Sequence, residues 1–203
     1  ALATTVVPEG QNVIDAIAVA RDGLYVKDMD GGYNGLRRLG NDGKVQVIKL
    51  PFEGSFDSIS TETREDGAWL LGASWLLPFT VFRHDPAANS TVAVPLAPPS
   101  PIDTTPFEAI RTFATARDGT KVPLSIVARK SLKRDGRNPT LVDAYGSYQI
   151  STTPYFSARS VAFLEQGGVL AYAHVRGGGE YGKRWWKAGQ KITKPNTWRD
   201  LLE

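Results

Sequence analysis

Residues Gly168–Gly182, GVLAYAHVRGGGEYG, read as an apolar strand that runs into an arginine, three glycines, Glu180, Tyr181 and a further glycine. The apolar run over Val169–Val175 is bounded by Gly167-Gly168 on one side and the glycine cluster on the other, the punctuation expected of a buried strand. Working backwards, Pro154–Gln166 predicts a helix with Thr153 as its cap, proline in the first turn and Gly167-Gly168 as its stop. Phe156, Phe163 and Leu164 share one of its faces. Thr140–Ala144 is a shorter strand that leads into DAYGSYQIS, Asp143–Ser151.

Further upstream, Phe107–Ala116 and Val122–Arg129 flank Asp118-Gly119, a turn pair that predicts an antiparallel hairpin, and the polar loop SLKRDGRNP follows it. Downstream of Gly182 comes a long aromatic loop, after which Asn196-Thr197 caps a helix that has barely begun at Glu203. Hairpin, strand, helix, strand, loop, helix is the opening order of an α/β-hydrolase sheet.

The first half has a different rhythm. Gly23–Val26, Val45–Leu50, Trp69–Leu71 and Thr80–Phe82 are short apolar runs separated by Gly, Asp and Asn turns, with no long helix between them. Two segments repeat the pattern of strand, loop, strand, polar turn, strand: LYVKDMDGGYNGLRRLGNDGKVQVIKLPFEG from Leu24, and WLLGASWLLPFTVFRHDPAANSTVAVPLAPP from Trp69, 45 residues later. That spacing suits a four-stranded propeller blade of roughly 40–50 residues, so about two blades are expected; a β-sandwich is the alternative.

Charge and proline content suggest where the halves meet. Residues 1–104 carry 8 basic and 13 acidic side chains, residues 105–203 carry 16 and 8, and Pro95, Pro98, Pro99, Pro101 and Pro106 cluster at the change of sign. Such a stretch makes a stiff connector and cannot be a central strand. A partial propeller with its linker over 1–104 and the first part of a hydrolase domain over 105–203 is therefore expected.

Composition narrows the function classes. With 41% hydrophobic and 22% charged residues the chain is an ordinary globular sequence rather than a disordered tail. No apolar run approaches the roughly 18 residues of a membrane helix, and the opening ALATTVVPEG lacks the basic and apolar regions of a signal peptide. The absence of cysteine excludes disulfides and thiolate metal sites but suits the cytoplasm and the periplasm equally. A net charge of +3 does not imply a nucleic-acid partner.

Four chemistries compete in the second half. Gly177, Gly179 and Gly182 fit G-x-G-x-x-G after a strand, yet Glu180 would face the pyrophosphate and no acidic ribose ligand ends a strand about 20 residues on. KRWWKAGQK, Lys183–Lys191, could neutralise phosphate and stack on bases, but it is short and isolated, and a loop that packs Trp185 or Trp186 into the core explains it more simply. Ser147 with His174 would make a nucleophile and base, but AYGSYQ lacks the glycine two places after the serine that a nucleophile elbow needs. His174 reads as a core residue and His84, in FRHDP, as a surface one, so no triad can be assembled. The last reading is an oxyanion site: the loop after the third strand of a hydrolase sheet supplies one of its donors, and here that loop starts at Tyr145, whose phenol is a neutral donor at pH 7. Gly146 and the small Ser147 would let a substrate backbone approach. A plain packing role for Tyr145 stays open on these residues alone.

Resemblance adds to this. DGTKVPLSIVARK, DAYGSYQISTTPYFS, GGVLAYAHVRGGGEYGKRWWKAG and the NTWRD segment resemble the start of the catalytic domain of the prolyl oligopeptidase family, RGGGEYG being among its most specific strings; SWLLPFTVFRHDP is similar, more loosely, to the last-blade segment. The resemblance implies a serine peptidase that cuts short peptides, directed at proline, through an acyl-enzyme, with neither a metal nor an organic cofactor and with a propeller over the active site. It implies that Tyr145 helps hold the oxyanion and that Tyr148, in place of the usual phenylalanine, lines the pocket for the substrate's proline ring. Ser147 stands where a second glycine is common. Arg176, Gly177, Gly178, Gly179, Glu180, Tyr181 and Gly182 match a motif that is mainly architectural. The family's serine, aspartate and histidine fall on positions after Glu203, the serine roughly 30 residues further on. A dipeptidyl or acyl-aminoacyl peptidase, an esterase of the same fold, or a propeller binding protein without catalysis are the other readings.

Overall fold

The computed structural model describes residues 4–96 and 98–203. Its first eight strands form two antiparallel meanders: β1 (Val13–Ala20), β2 (Gly23–Asp30), β3 (Tyr33–Gly40) and β4 (Val45–Ile48), then β5 (Ser55–Ser60), β6 (Ala68–Ala73), β7 (Thr80–Asp85) and β8 (Ser90–Val94), each sheet ordered as in the chain. These are the two four-stranded blades expected. The first strand of each escaped the sequence pattern: β5, SFDSIS, is mostly polar, and β1 leaves Ile14, Ile17 and Val19 exposed.

Turn chemistry sets the registers. Gly31 and Gly32 join β2 to β3 with φ of 57° and 90°, the double left-handed turn that matches strand twist and that side chains resist. The sheets pack on each other through Tyr25, Leu36, Ile48, Phe56, Leu70 and Phe82, with Phe52 stacked on Phe82 at 4.7 Å. His84 lies in this core rather than on the surface. Alternation along β7 turns it to the same side as Phe82, where it is fully buried, bonds Thr91 Oγ1 at 3.0 Å and meets Tyr25 edge-on.

The second half is a mixed sheet of β9 (Phe107–Thr115), β10 (Lys121–Arg129), β11 (Thr140–Ala144) and β12 (Val169–Ala173), in the order β11-β12-β10-β9. β9, β10 and β12 pair antiparallel, while β11 and β12 are parallel and are joined through helix α1 (Ala158–Glu165). Helix α1 starts four residues later than the sequence predicts. Ser157, not Thr153, is its cap, accepting from the Ser160 amide, because residues before it are drawn out toward the blades, where the Pro154 carbonyl accepts from Ser55 Oγ at 2.6 Å. Its stop is as expected: Gly167, at φ 82°, and Gly168 return their amides to Leu164 and Phe163.

The segment expected as one long loop contains helix α2 (Gly182–Lys187) and a 3-10 turn at Lys191–Thr193. Helix α3 (Pro195–Leu202) begins a residue before the expected Asn196-Thr197 cap, with Lys194 at the cap position and Thr197 buried inside it. Trp185 packs on Val122, Ala173 and Val175 while Lys183, Arg184 and Lys187 stay exposed.

A third cluster joins the halves. Tyr33 and Trp75 of the blades pack with Phe107, Val127, Val161, Leu164, Leu170 and Tyr172, and Trp75 lies flat on Tyr172 at 3.8 Å. No helix among the described residues is long and apolar enough to cross a membrane, which says nothing of membrane β-barrels.

Candidate active site

Parallel pairing of β11 and β12 brings their carboxyl ends side by side, the edge at which sheets of this kind bind ligands. Residues 145–150 leave from β11 there, and His174–Gly182 leave from β12. The two loops touch: the Gln149 amide donates to the Gly177 carbonyl at 3.3 Å.

The first loop is strained and presents two aromatic rings. Gly146, Tyr148 and Gln149 have φ of 62°, 53° and 60°. For the two that carry side chains this costs roughly 1–3 kcal/mol each. No packing offsets it at Tyr148, which is 82% exposed, and Tyr145 is 49% exposed. Both rings therefore face solvent at the carboxyl edge of the sheet.

Gly146 lies beneath them. A Cβ there would come within 2.5 Å of Val175 Cγ2 and Thr197 Cγ2, so its smallness makes room for protein rather than for a substrate backbone. Its carbonyl accepts from Lys194 Nζ at 2.6 Å, and Ser147 Oγ bonds the same ammonium at 2.7 Å. Ser147 and His174 are not brought together as nucleophile and base. His174 pairs instead with Ser125 Oγ at 2.9 Å, and its other ring nitrogen donates to the Thr152 carbonyl at 3.0 Å. Both members of that Ser–His pair are fully buried, and Tyr33 Oη covers the serine at 3.0 Å, leaving no room for a substrate carbonyl.

The RGGGEYG stretch is a chain crossing built on polar bonds. Arg176 forks Asp200, Nε to Oδ2 at 2.9 Å and Nη2 to Oδ1 at 2.5 Å, and its own amide donates to Asp200 Oδ2 at 2.9 Å. Its remaining nitrogen reaches Asp118 in the β9–β10 turn at 2.5 Å. Gly177, at φ 105°, sits so near Gly146 that a Cβ would fall 2.0 Å from the Gly146 oxygen. Gly178 and Gly179 continue the turn, with Gly179 against the Gln149 carbonyl. Glu180 Oε1 accepts from the Thr152 amide at 2.8 Å and its backbone carbonyl accepts from the Gly31 amide of the blades. Glu180 Oε2 is buried without a partner among the described residues, and burial lifts this carboxyl to about 7. Tyr181 meets Trp185 edge-on at 5.2 Å, and Gly182 opens α2.

Desolvation lowers His174 to about 4, so it is neutral, with the proton on Nδ1. Sequence reasoning missed Lys194, Ser125, Tyr33 and Trp75. Nothing local marks them, since each acts across more than forty residues of chain.

The profile of the prolyl oligopeptidase family matches residues 154–203. A prolyl endopeptidase from Elizabethkingia meningoseptica is 32% identical over 206 residues, 96% of this chain and 29% of its own length. A dipeptidyl aminopeptidase BI from Pseudoxanthomonas mexicana is 31% identical, over 96% of this chain and 27% of its own. Among solved structures, prolyl oligopeptidase B from Galerina marginata, bound to a 25mer macrocyclization substrate, superposes with a TM-score of 0.88 at 26% identity, over 97% of this chain and 28% of that one. The chain thus spans under a third of the length of the relatives it matches. In sequence and in fold, through two propeller blades followed by the first strands and helices of a hydrolase sheet, the chain belongs to the prolyl oligopeptidase family.

Proposed function

We propose that the chain is the propeller end (1–104) and catalytic-domain start (105–203) of a serine peptidase that hydrolyses short, proline-containing peptides through an acyl-enzyme. The observation that carries this reading is the strained loop that holds Tyr145 and Tyr148 outward at the carboxyl edge of parallel strands. In acyl transfer a serine oxygen attacks the scissile carbonyl, and negative charge develops on the carbonyl oxygen. Tyr145 is assigned as one hydrogen-bond donor to that oxygen, a contribution of about 3 kcal/mol by the usual cost of deleting such a donor. Tyr148 is assigned as a wall of the pocket for the substrate's proline ring, with Gly146 and Ser147 supporting the loop beneath. The chemistry asks for neither a metal nor an organic cofactor.

The test is Tyr145→Phe in the full-length protein, assayed on a proline-containing peptide. Turnover is expected to fall roughly 10- to 1000-fold while thermal stability stays near wild type. Unchanged turnover would return Tyr145 to a packing role. Similarity to a dipeptidyl aminopeptidase favours a second reading, an exopeptidase of the same fold. Peptides with blocked and free amino termini separate the two, because only an endopeptidase cuts both.

A further inference from the structure

Lys194 occupies the cap position of α3, where a positive charge opposes the helix dipole. Ser, Thr, Asp or Asn would serve that position better. The side chain is half-buried, and its ammonium is spent on two oxygens of the loop after β11, the Gly146 carbonyl at 2.6 Å and the Ser147 hydroxyl at 2.7 Å. These are charge-assisted bonds, about twice as strong as neutral ones. They grip the loop between its two exposed rings, next to the pair of left-handed residues Tyr148 and Gln149. The other ties on the loop are neutral: Thr197 Oγ1 reaches the Gly146 carbonyl only at 3.5 Å, the Gln149 amide reaches Gly177 at 3.3 Å, and the Ile150 amide closes the loop on the Ser147 carbonyl at 3.0 Å.

We propose that Lys194 is a positioning residue, whose ammonium pins the Gly146 carbonyl and the Ser147 hydroxyl and so fixes the aim of the Tyr145 phenol and the Tyr148 ring. The proposal rests on the peptidase reading for its effect on rate, but not for its effect on the loop. Methionine keeps the length of lysine and removes the charge and all donors. Because both bonds of its ammonium go to the loop, Lys194 acts on the reaction through the two tyrosines.

The experiment uses the full-length protein with K194M, Y145F and the double variant, read by kcat and KM on a proline-containing peptide and by amide hydrogen exchange. K194M is expected to lower kcat/KM about 10- to 100-fold with a raised KM, and to speed exchange of the Gln149 and Ile150 amides at least tenfold. Adding K194M to Y145F is expected to cost much less in kcat than K194M alone, since the phenol it aims is already gone, while the rise in KM that comes through Tyr148 persists. Wild-type exchange at Gln149 and Ile150, or fully additive losses of kcat in the double variant, would overturn the proposal. Should K194M not fold, Ser147→Ala removes one of the two acceptors and is expected to give about threefold faster exchange and a raised KM; no change in either overturns it equally. Faster exchange in K194M together with unchanged kinetics in Y145F would sink the peptidase reading of Tyr145 and leave the pinning of the loop standing.

Discussion

Tyr148 is a bulky residue at φ 53° whose ring contributes almost nothing to the fold, being 82% exposed. A conformation that costs roughly 1–3 kcal/mol and gains no packing is the mark of a site rather than of a scaffold. Tyr148→Gly relieves the strain, and although glycine adds disorder to the unfolded chain, the variant is expected to be as stable as the parent or up to about 1 kcal/mol more so. On the proposed role of the ring as a pocket wall, KM for proline-containing peptides is expected to rise at least about tenfold. Thermal melts and steady-state kinetics on the same preparation check both halves; a destabilised variant with unchanged KM would make Tyr148 structural. The ring's identity was legible in AYGSYQ, but its backbone was not. One glycine announces one left-handed residue, whereas the positive φ of Tyr148 and Gln149 is imposed by the pinning from Lys194 and the bond to Gly177, which no local pattern encodes.

Between elements, the decisive contact is the Arg176–Asp200 fork, which ties the end of β12 to α3 and carries the floor of the tyrosine loop through Thr197, whose hydroxyl donates to the Arg176 carbonyl at 2.6 Å. Asp200 is fully shielded and Arg176 nearly so. Asp200→Ala leaves buried Arg176 with only the half-exposed Asp118 and takes the acceptor from its amide, so it is expected to destabilise by roughly 3–5 kcal/mol. Asp118, the other partner of Arg176, is half in solvent, and Asp118→Ala is expected to cost under about 1 kcal/mol. Urea unfolding of the two variants tests this ordering, and a larger loss for Asp118→Ala would refute it. Both residues of the fork stood in strings that marked the family, RGGGEYG and NTWRD, yet 24 residues of separation hid their pairing. The misplaced start of α1 has the same origin. Pro154 and Thr153 make a plausible helix start on local chemistry, and a bond from Ser55, 99 residues away, overrides it.

At the scale of the whole molecule, one chain of hydrogen bonds runs from the blades into the hydrolase sheet. Trp75 Nε1 donates to Tyr33 Oη at 3.1 Å, Tyr33 to Ser125, Ser125 to His174 Nε2, and His174 Nδ1 to the Thr152 carbonyl; the Thr152 amide then donates to Glu180 Oε1. The carbonyl of Thr152 can only accept, so Nδ1 carries a proton, and with burial keeping the ring neutral Nε2 accepts from Ser125 and the rest of the chain follows. This junction places two buried groups of opposite pH response in contact with one residue. His174, lowered by burial from 6.5 to about 4, contributes stability that is complete above pH 6.5 and is lost as pH falls toward 4. Glu180, raised by burial from 4.5 to about 7, contributes stability that is complete below pH 4.5 and is lost as pH rises through 7. Between pH 4.5 and 6.5 the two slopes oppose, and the junction is nearly indifferent to pH. Glu180→Gln removes only the second slope and keeps an acceptor for the Thr152 amide. The variant is therefore expected to gain on the parent as pH rises, the gap widening by about 2 kcal/mol from pH 5 to pH 7. Urea midpoints at the two pH values measure it. A gap that stays constant would mean that Glu180 is ionised throughout, with its second oxygen reached by water, and that the junction is not the dry seam its burial describes.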